Sequence, residues 1–272
     1  MIEPHGITVE SLAENLELST AECYKLSRAA HRLYRTSLHP KPSGGTRVIE
    51  APFPRLKAVQ RALSEKILNK IPVHSCFHGR PGTSQLSAAR IHVRQPMLIT
   101  MDVKDFFPSV TARMVGSALL KLDFQLPVIE EMVRLCTRKR RLPQGALTSP
   151  VLARIVLSPI LLEIEVLFAN ISPHCKVTQF VDDLAFSGPS GIQRLIPTIH
   201  RLWTRHGFEV HPKKTKVMRA DESQEVLGVW VNNGLAPTAE FLQRVEEARR
   251  TLPLDDQKRL GLENWLSEIQ RK

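Results

Sequence analysis

Cysteine and long apolar runs are scarce in this sequence. Its 272 residues include four cysteines, which are scattered and form no C-x-x-C pair. Neither a disulfide framework nor a cysteine zinc site is therefore indicated. No run approaches the roughly 20 apolar residues that cross a bilayer, and the N-terminus has no signal-peptide apolar core. We expect a protein without a membrane segment, located in the reducing cytoplasm.

Acidic residues are too few to balance the basic ones. The chain has 38 Lys and Arg against 27 Asp and Glu, a formal net charge of +11. Basic clusters lie at 138–141 and 213–216, and a nucleic-acid backbone attracts such clusters through counterion release. For either cluster taken alone, the alternative is an ordinary solvated basic surface. With 42% hydrophobic residues, the chain suits one large domain or two small ones.

The spacing of apolar residues predicts a mixture of helices and strands. Ser19 and Glu22 form a capping-box pattern inside a segment that predicts two helices, and 72–85 is predicted to be a loop. Helices are predicted at 8–38 (two), 56–67, 111–121, 126–137, 149–168, 191–206 and 238–268, and strands at 46–50, 97–101, 177–180, 184–186, 215–219 and 225–231. This mixture predicts an α+β fold, with an antiparallel sheet backed by helices.

Asp182 and Asp183 lie at a tight turn between two apolar runs. Carboxylates so close repel one another unless a cation neutralises them. A third carboxylate, Asp102, ends the predicted strand at 97–101. Asp oxygens suit Mg²⁺, and two such ions can activate an attacking oxygen and stabilise a leaving one. The three residues therefore predict two-metal nucleotidyl transfer.

Each acidic motif also has a simpler explanation when it is taken alone. An Asp-Asp pair at a turn is usually ordinary solvated turn chemistry. Asp102 by itself can cap the helix that follows it. The combination of both motifs, each next to a predicted strand, favours the metal site.

The segments around these carboxylates resemble the palm motifs of reverse transcriptases. Asp102 lies in MDVKDFFPSV, Gln144 in LPQGALTSP, and the acidic pair in FVDD, in the family's order and at compatible spacing. Two later segments, GFEVHPKKTKVM and VLGVWVNNG, resemble the next two palm motifs, and GGTRVIEAP with LKAVQ resembles the fingers. The resemblance runs from about residue 34 to 234. It is nearest to the small bacterial retron and defence-associated group, in which a Tyr, here Tyr34, precedes the basic finger segment.

This resemblance implies a right-hand polymerase fold. N-terminal helices and fingers would occupy 1–100 and about 111–145, the palm 101–234, and a short helical thumb 235–272. The implied function is an RNA-directed DNA polymerase that uses dNTPs to copy a cognate non-coding RNA into DNA, in retron-like antiphage defence. An effector protein and a second copy of the chain are further implied partners. The alternatives are template-independent or protein-primed DNA synthesis, and an RNA-binding scaffold.

The resemblance also assigns roles to individual residues. Asp102, Asp182 and Asp183 would be catalytic and, with Val103, would hold two Mg²⁺ ions, for which Mn²⁺ can substitute. Nucleotide-binding roles are implied for Lys41, Arg47, Lys104, Asp105, Phe106, Phe107, Gln144, Gly145 and Lys214, and primer-grip roles for Leu227 and Gly228.

Several of these assignments leave an alternative open. Phe107 would exclude a ribose 2′-hydroxyl, or else be a core aromatic; strand alternation assigns the inward position to Phe106. Gln144 with Gly145 can be a simple turn, and Lys213 is nearly as good a candidate as Lys214.

Three positions depart from the family pattern. Phe180 replaces the Tyr of Y-x-D-D, which removes a hydroxyl but keeps the ring, so polymerisation should survive. The retron signature N-A-x-x-H keeps Ala89 and His92 but lacks its Asn. The retron V-T-G triplet is replaced by Val226-Leu227-Gly228. The last two departures argue against a strict retron assignment.

Overall fold

The computed structural model describes residues 4–40, 44–211 and 214–271. Its helices are α1 Val9–Asn15, α2 Thr20–Ala29, α3 Pro54–Lys66, α4 Gln85–Ile91, α5 Phe106–Ser109, α6 Ala112–Leu120, α7 Leu126–Cys136, α8 Ser149–Ala169, α9 Ile196–Arg205, α10 Ala239–Thr251 and α11 Gln257–Gln270. Its strands are β1 Tyr34–Pro40, β2 Thr46–Pro52, β3 Phe77–His78, β4 Met97–Asp102, β5 Lys176–Phe180, β6 Asp183–Gly188, β7 Lys216–Arg219, β8 Glu225–Val226, β9 Val229–Trp230 and β10 Ala236–Pro237.

The chain divides into two compact units. The first contains Met1–His74 and Asp105–Pro159, and the second contains Ser75–Lys104 and Ile160–Lys272. The helices α10 and α11, which were expected as a thumb, group with the second unit. The functional division into fingers, palm and thumb stays a prediction.

The first unit is helical around one antiparallel ribbon. In this ribbon β1 pairs with β2 from Tyr34 opposite Pro52 onward. The buried Gln60 amide on α3 donates to the Tyr34 hydroxyl (2.8 Å) and to the Leu135 carbonyl on α7 (2.9 Å). A buried amide nitrogen whose two hydrogen bonds are both made fixes the positions of the elements that it joins. The ribbon is thereby anchored to α3 and α7.

Local sequence explains where the N-terminal helices begin but not where they give way to a strand. The predicted capping box is confirmed: the Glu22 backbone N–H donates to Ser19 Oγ, and the Ser19 N–H donates to the Glu22 carboxylate. The prediction of helix as far as residue 38 was wrong, because Tyr34–Pro40 is strand β1. This strand is defined by its pairing with β2, a long-range contact that apolar spacing does not report.

The second unit is built on a five-stranded sheet with the order β3-β5-β6-β4-β7. All neighbours pair antiparallel except β3 and β5, which are parallel. One core cluster joins Leu98 and Ala185 of the sheet to Ala89 of α4, Val245 of α10 and Ile269 of α11. The predicted α+β arrangement, an antiparallel sheet backed by helices, is confirmed in this unit.

The α8 helix supports the same sheet through an aromatic contact. The Phe168 ring of α8 stacks on the Phe186 ring of β6 with 5.2 Å between centroids. Both rings are fully buried. Phe186 is adjacent in sequence to Ala185, whose side chain belongs to the α4, α10 and α11 cluster, so successive β6 residues contribute to different packing environments.

Three further local predictions need correction. The 72–85 segment contains β3, and the short helix α4 follows it although no helix was predicted there. The 225–231 segment is a hairpin of β8 and β9 rather than one strand, because Leu227 and Gly228 both have positive φ, 53° and 80°, as in a type I′ turn. Residues 106–109 form helix α5 rather than extended chain.

Two composition-based expectations can be compared with the structure. All four cysteines are free thiols, and three of them are buried. Within the described ranges, the structure contains no helix long and apolar enough to traverse a lipid bilayer.

Candidate active site

The acidic pair lies at the tip of the β5–β6 hairpin. Phe180 is opposite Asp183 in the ladder, so Val181 and Asp182 are the two turn residues. Val181 has φ of 56°, a left-handed conformation that a β-branched residue rarely adopts. Such strain persists only where the surrounding structure imposes it, and it often occurs at functional sites. The tight turn presents two successive carboxylates at the sheet end.

Strand register brings Asp102 to the same place. It is the last residue of β4 and lies opposite Asp183 of β6. The next residue, Val103, donates its backbone N–H to the Asp182 carbonyl (3.2 Å). Asp102 is not a helix cap, because the following helix begins at Phe106 after Asp105. The ladder thus gathers the three predicted carboxylates at one sheet end.

A cleft of about 470 Å³ within the second unit opens at this end of the sheet. Asp102, Asp183 and Lys214 line it, together with the turn residues Leu227 and Gly228. The structure therefore brings two of the predicted catalytic residues, Asp102 and Asp183, and both predicted primer-grip residues into one cleft, although they are up to 126 positions apart.

Burial and neighbouring negative charge both weaken the acidity of Asp183. Desolvation by surrounding protein, followed by the negative charges of Asp182 and Asp102, raises the pKa of this carboxyl to about 7, and Lys214 opposes the rise. One side of Asp183 remains exposed to solvent, which screens part of the repulsion. A cation bound among these groups would favour their ionised forms.

Lys214 supplies one such positive charge from the protein itself. Its ammonium Nζ lies 2.8 Å from Asp102 Oδ2. The hydrogen bond to Asp102 raises the pKa of Lys214, and the charges of Asp102, Asp182 and Asp183 act in the same direction. Lys214 therefore stays protonated in the cleft. Its neighbour Lys213, the alternative candidate, lies outside the described residues.

The chemistry of these side chains fits a hard divalent cation. Carboxylate oxygens are its preferred protein ligands, and the charges of Asp182 and Asp102 contribute, after desolvation, to the raised pKa of Asp183. In the described part of the chain, no three or more His, Cys, Asp or Glu side chains already converge in a metal-binding cluster. In this structure Asp102 is instead engaged by the Lys214 ammonium.

Sequence comparison identifies the family of this site. Residues 39–231 match the family model described as "Reverse transcriptase (RNA-dependent DNA polymerase)". The chain belongs to the reverse transcriptase family.

Curated relatives indicate the retron-type bacterial branch of reverse transcriptases. The chain is 34% identical over 265 residues to the Retron Mx65 reverse transcriptase of Myxococcus xanthus, covering 88% of this chain and 61% of the relative. It is 31% identical over 262 residues to the Retron Mx162 reverse transcriptase of the same organism, and this match covers 83% of this chain and 53% of the relative. The chain thus spans less than two thirds of the length of either relative. The similarity is present despite the replaced V-T-G triplet and missing Asn.

Solved structures show the right-hand polymerase fold. The chain aligns with telomerase from Candida albicans, solved with a fragment of telomeric RNA, at a TM-score of 0.56 and 13% identity, covering 79% of this chain and 50% of that one. It also aligns with a foamy viral protease-reverse transcriptase that was solved with double-stranded DNA. The TM-score is 0.52 at 21% identity, and the alignment covers 85% of this chain and 35% of that one. At these identities the likeness establishes the fold, which confirms the predicted fold class.

The reverse transcriptase motif after Asp102 begins with two constrained residues. Lys104 donates its backbone N–H to the Glu209 carbonyl (2.8 Å), and its ammonium lies 3.1 Å from the Glu209 carboxylate. Asp105 follows in the left-handed conformation, with φ of 45°. Asp105 thereby redirects the chain into helix α5, which begins at the next residue. Sequence reasoning did not anticipate Glu209 as the partner of Lys104.

The two candidate gate aromatics differ in burial. Phe106 is buried, as expected, whereas Phe107 is half-buried, and their ring centroids are 5.1 Å apart. The expected reason was wrong, because these residues belong to a helix and strand alternation does not apply. The steric role of Phe107 stays a prediction.

Gly145 is required by a close approach within the first unit. It has φ of +123°, and a Cβ there would lie 3.1 Å from both the Glu50 carbonyl oxygen and the Ile49 side chain. The adjacent Gln144 carbonyl accepts the Glu50 N–H at 2.7 Å. Neighbouring protein backbone is therefore sufficient to explain the glycine, and contact of Gln144 with a nucleotide stays a prediction.

Of the two cations predicted in the fingers, Arg47 is among the described residues. Arg47 lies on β2, opposite His39 in the ribbon, and is exposed. Lys41 lies outside the described residues. Their contact with a nucleotide triphosphate stays a prediction.

Sequence reasoning missed other residues of the second unit. Gln85, Lys216 and Glu225 line the cleft. No local feature of the sequence indicates that Gln85 belongs there. Lys216 could have been found from its place in the basic cluster at 213–216. Phe180 also lines the cleft, and its ring lies against Gly79, where a Cβ would be only 3.1 Å away.

Proposed function

We propose that this chain is the polymerase core of an RNA-directed DNA polymerase that copies a cognate non-coding RNA. The observation that carries this proposal is the strand register that places Asp102, Asp182 and Asp183 at one end of the sheet, where Asp102 and Asp183 line a cleft with Lys214 and the 227–228 turn. Membership of the reverse transcriptase family supports the reaction class.

The reverse transcriptase family implies divalent metal dependence. We assign two Mg²⁺ ions to Asp102 and Asp182, with Val103 contributing through its backbone carbonyl, Asp183 as a supporting carboxylate and Mn²⁺ as a substitute. When bound, such ions make a primer hydroxyl a better nucleophile and stabilise charge on the leaving pyrophosphate. The placement of these carboxylates at one end of the sheet supports this assignment.

The chain's own groups would position the reactants around these carboxylates. Protonated Lys214 is suited to neutralise the leaving pyrophosphate or to donate a proton to it. Leu227 and Gly228, which form a tight turn in the cleft wall, are suited to hold the primer end. The attacking group is a primer 3′-hydroxyl, an RNA 2′-hydroxyl or a protein hydroxyl.

Residues on the motif segments would contact the incoming dNTP. We assign triphosphate contacts to Lys41, Arg47 and the backbone around Lys104, Asp105 and Phe106. Phe107 would select against a ribose 2′-hydroxyl, and Gln144 with Gly145 would contact the base pair being formed. An arginine such as Arg47 suits this task because its planar guanidinium can bind phosphate through two hydrogen bonds.

The relatives suggest the partners. Retron reverse transcriptases among the relatives supply a biological setting, and solved neighbours bound to telomeric RNA or to DNA support nucleic-acid partners for this chain. We therefore propose an RNA template and primer, a DNA product, and a role in retron-like antiphage defence. An effector protein and a second copy of the chain complete the proposed assembly.

The test is to purify the protein from cells that carry its own neighbouring genes and to sequence the bound RNA and DNA. The Asp182→Asn variant should retain bound RNA and thermal stability but lose all DNA complementary to that RNA. Asp255→Asn is the matched control, because Asp255 is exposed and lies in the same unit but outside the cleft. This control should yield DNA as the unmodified protein does.

The sequencing result separates the alternatives. DNA complementary to one enriched RNA supports templated synthesis. DNA without a matching RNA identifies template-independent synthesis, and bound RNA without DNA under either Mg²⁺ or Mn²⁺ identifies a scaffold. DNA synthesis by Asp182→Asn equal to that of the control contradicts the assignment of the site.

A further inference from the structure

A second cleft lies wholly within the first unit and is strongly basic. It has a volume of about 860 Å³ and is lined by residues of α2, of the 3-10 turn Ala30–Arg32 after it, of α6, and of α7 with the turn that follows α7. Its cationic side chains, with one histidine, are Arg28, His31, Arg134, Arg138, Lys139 and Arg140. No Asp or Glu of the described chain lines it. This cleft, called the basic cleft below, is separate from the carboxylate cleft, which belongs to the second unit.

Two of these cations are already neutralised by the protein. Arg134 pairs with Glu130 (3.1 Å) and with the buried Glu131 (2.6 Å). Arg138 pairs with Glu50 at 2.7 Å. These pairs fix the cleft wall rather than leaving charge for a ligand.

The remaining cations carry the excess charge. Arg28, Lys139 and Arg140 are exposed and form no ion pair with any residue that the structure describes. The Arg28 guanidinium contacts only the Tyr24 ring among the described aromatic residues, at 5.9 Å from its centroid. The cleft therefore presents three uncompensated positive charges. A polyanion is the ligand that this excess favours.

A strained turn presents two of these three charges. Arg138 and Arg141 exchange backbone hydrogen bonds of 2.9 and 3.0 Å, and the residues between them, Lys139 and Arg140, have φ of 49° and 62°. This is a type I′ geometry, for which Asn-Gly is the favoured sequence. The Arg140 carbonyl also accepts the N–H of Ala112, the first residue of α6, which holds the turn in place. Two long cationic side chains thus occupy positions that local backbone preference would give to other residues.

The surface chemistry points to phosphate groups rather than bases. Arginine binds phosphate through a planar pair of hydrogen bonds. No Phe, Tyr or Trp among the described residues lines the cleft, so it offers no aromatic platform for unstacked bases. RNA duplexes are recognised mainly through backbone and shape, because their deep major groove hides the base edges.

We propose that the basic cleft binds the sugar-phosphate backbone of a double-stranded segment of the RNA that the enzyme copies. This inference rests on the proposed function for the identity of the RNA partner. It adds a docking site on the first unit, built from Arg28, Lys139 and Arg140, that is distinct from the reacting groups. Binding there would retain a folded template independently of the primer end.

The turn itself supplies a clean perturbation. Replacing Lys139→Asn together with Arg140→Gly removes both charges and installs the sequence that type I′ turns prefer, so the turn should stay folded. The swap Lys139→Arg with Arg140→Lys keeps both charges. Lys57→Gln with Arg61→Gln removes one lysine and one arginine from exposed positions on α3 of the same unit, outside the basic cleft.

Binding is measured by fluorescence anisotropy with two probes, a labelled RNA duplex of 20 base pairs and a single-stranded RNA of the same length, over a series of salt concentrations. The Asn-Gly variant should bind the duplex about tenfold more weakly, with a slope of log Kd against log salt reduced by about 2, because two phosphate contacts are lost. Single-stranded binding should change less. The swap and the α3 variant should bind the duplex as the unmodified protein does.

Each other outcome overturns the proposal. Undiminished duplex binding by the Asn-Gly variant removes the cleft from recognition. An equal loss in the α3 variant shows that attraction is spread over the basic surface, and a loss in the swap shows that charge is not the determinant. An equal loss for single strands contradicts recognition of a duplex. Circular dichroism and melting temperatures verify that all variants are folded.

The same variants separate this proposal from the proposed polymerase activity. Extension of a short primer–template at saturating concentration measures synthesis without dependence on a distant duplex. If the Asn-Gly variant binds duplex RNA normally while Asp182→Asn abolishes synthesis, the cleft proposal fails and the polymerase proposal stands. If the unmodified protein makes no DNA but the Asn-Gly variant loses duplex binding, the polymerase proposal fails and the cleft is an RNA-docking site of a scaffold.

Discussion

Acidification should destabilise this protein through one buried histidine. The His92 ring is fully buried, with Nδ1 2.7 Å from Ser187 Oγ and Nε2 2.7 Å from Thr178 Oγ1. It therefore bridges β5 and β6, the two strands that carry the acidic turn. Burial, followed by the nearby charge of His78, lowers the pKa of His92 to about 3.

The sign and size of the effect follow from this shift. The unfolded chain takes up a proton on His92 below its ordinary pKa of 6.5, whereas the folded protein does so only near 3. The stabilisation from neutral His92 is thus complete above pH 6.5 and is lost progressively between pH 6.5 and 3. The slope approaches 1.4 kcal/mol per pH unit, so His92 alone should account for about 2 kcal/mol between pH 7 and pH 5.

The assay is urea unfolding at pH 7 and pH 5, followed by tryptophan fluorescence, for the unmodified protein and His92→Gln. The variant should be less stable at pH 7 by about 1–3 kcal/mol, because glutamine cannot reproduce both hydrogen bonds to the buried hydroxyls or the packing of the ring. Its loss between the two pH values should be about 2 kcal/mol smaller than that of the unmodified protein. All other titrating groups are common to both proteins and cancel in this difference. Equal losses in the two proteins would refute the buried neutral histidine.

Two further substitutions test the motif residues. Gly145→Ala should destabilise the protein by about 1–3 kcal/mol in thermal or urea unfolding, because the added Cβ meets the Glu50 carbonyl at a positive φ. Gly82→Ala, at φ of +82° with open space around it, controls for backbone strain alone, and equal effects of the two would contradict the contact argument. Phe107→Val should let primer extension accept ribonucleotides, if the ring excludes the 2′-hydroxyl as proposed. Phe106→Val, at the buried aromatic, should lower stability without changing sugar selectivity; unchanged selectivity in Phe107→Val would remove the gate.

Prediction from sequence was most successful where function and local chemistry coincide. FVDD and the strand ending at Asp102 predicted a carboxylate site, and the strand register places Asp102 opposite Asp183. The Ser19 capping box was equally readable, because both its hydrogen bonds join residues three apart. Such features depend on a few adjacent residues, so no knowledge of distant partners is needed.

Prediction failed where a distant partner decides the conformation. Strand β1 was predicted as helix because its pairing with β2 leaves no mark in apolar spacing. The packing reason for Gly145 was also not visible in the sequence, because the β2 backbone at Glu50, which excludes a side chain there, is a distant neighbour. The role of His92 was equally hidden, since its hydroxyl partners are 86 and 95 residues away.

The sequence by itself determined the family of this protein and led to the three carboxylates and the reaction class proposed above. The motifs that carry the resemblance are short segments, and metal and phosphate chemistry limits which residue types can serve in them. Only the tertiary structure decided that Lys214 contacts Asp102, that the 227–228 turn shares their cleft, and that Arg28 joins Lys139 and Arg140 in a second, basic cleft. Those arrangements depend on how separate helices and strands pack, and packing is a property of long-range contacts rather than of local order along the chain.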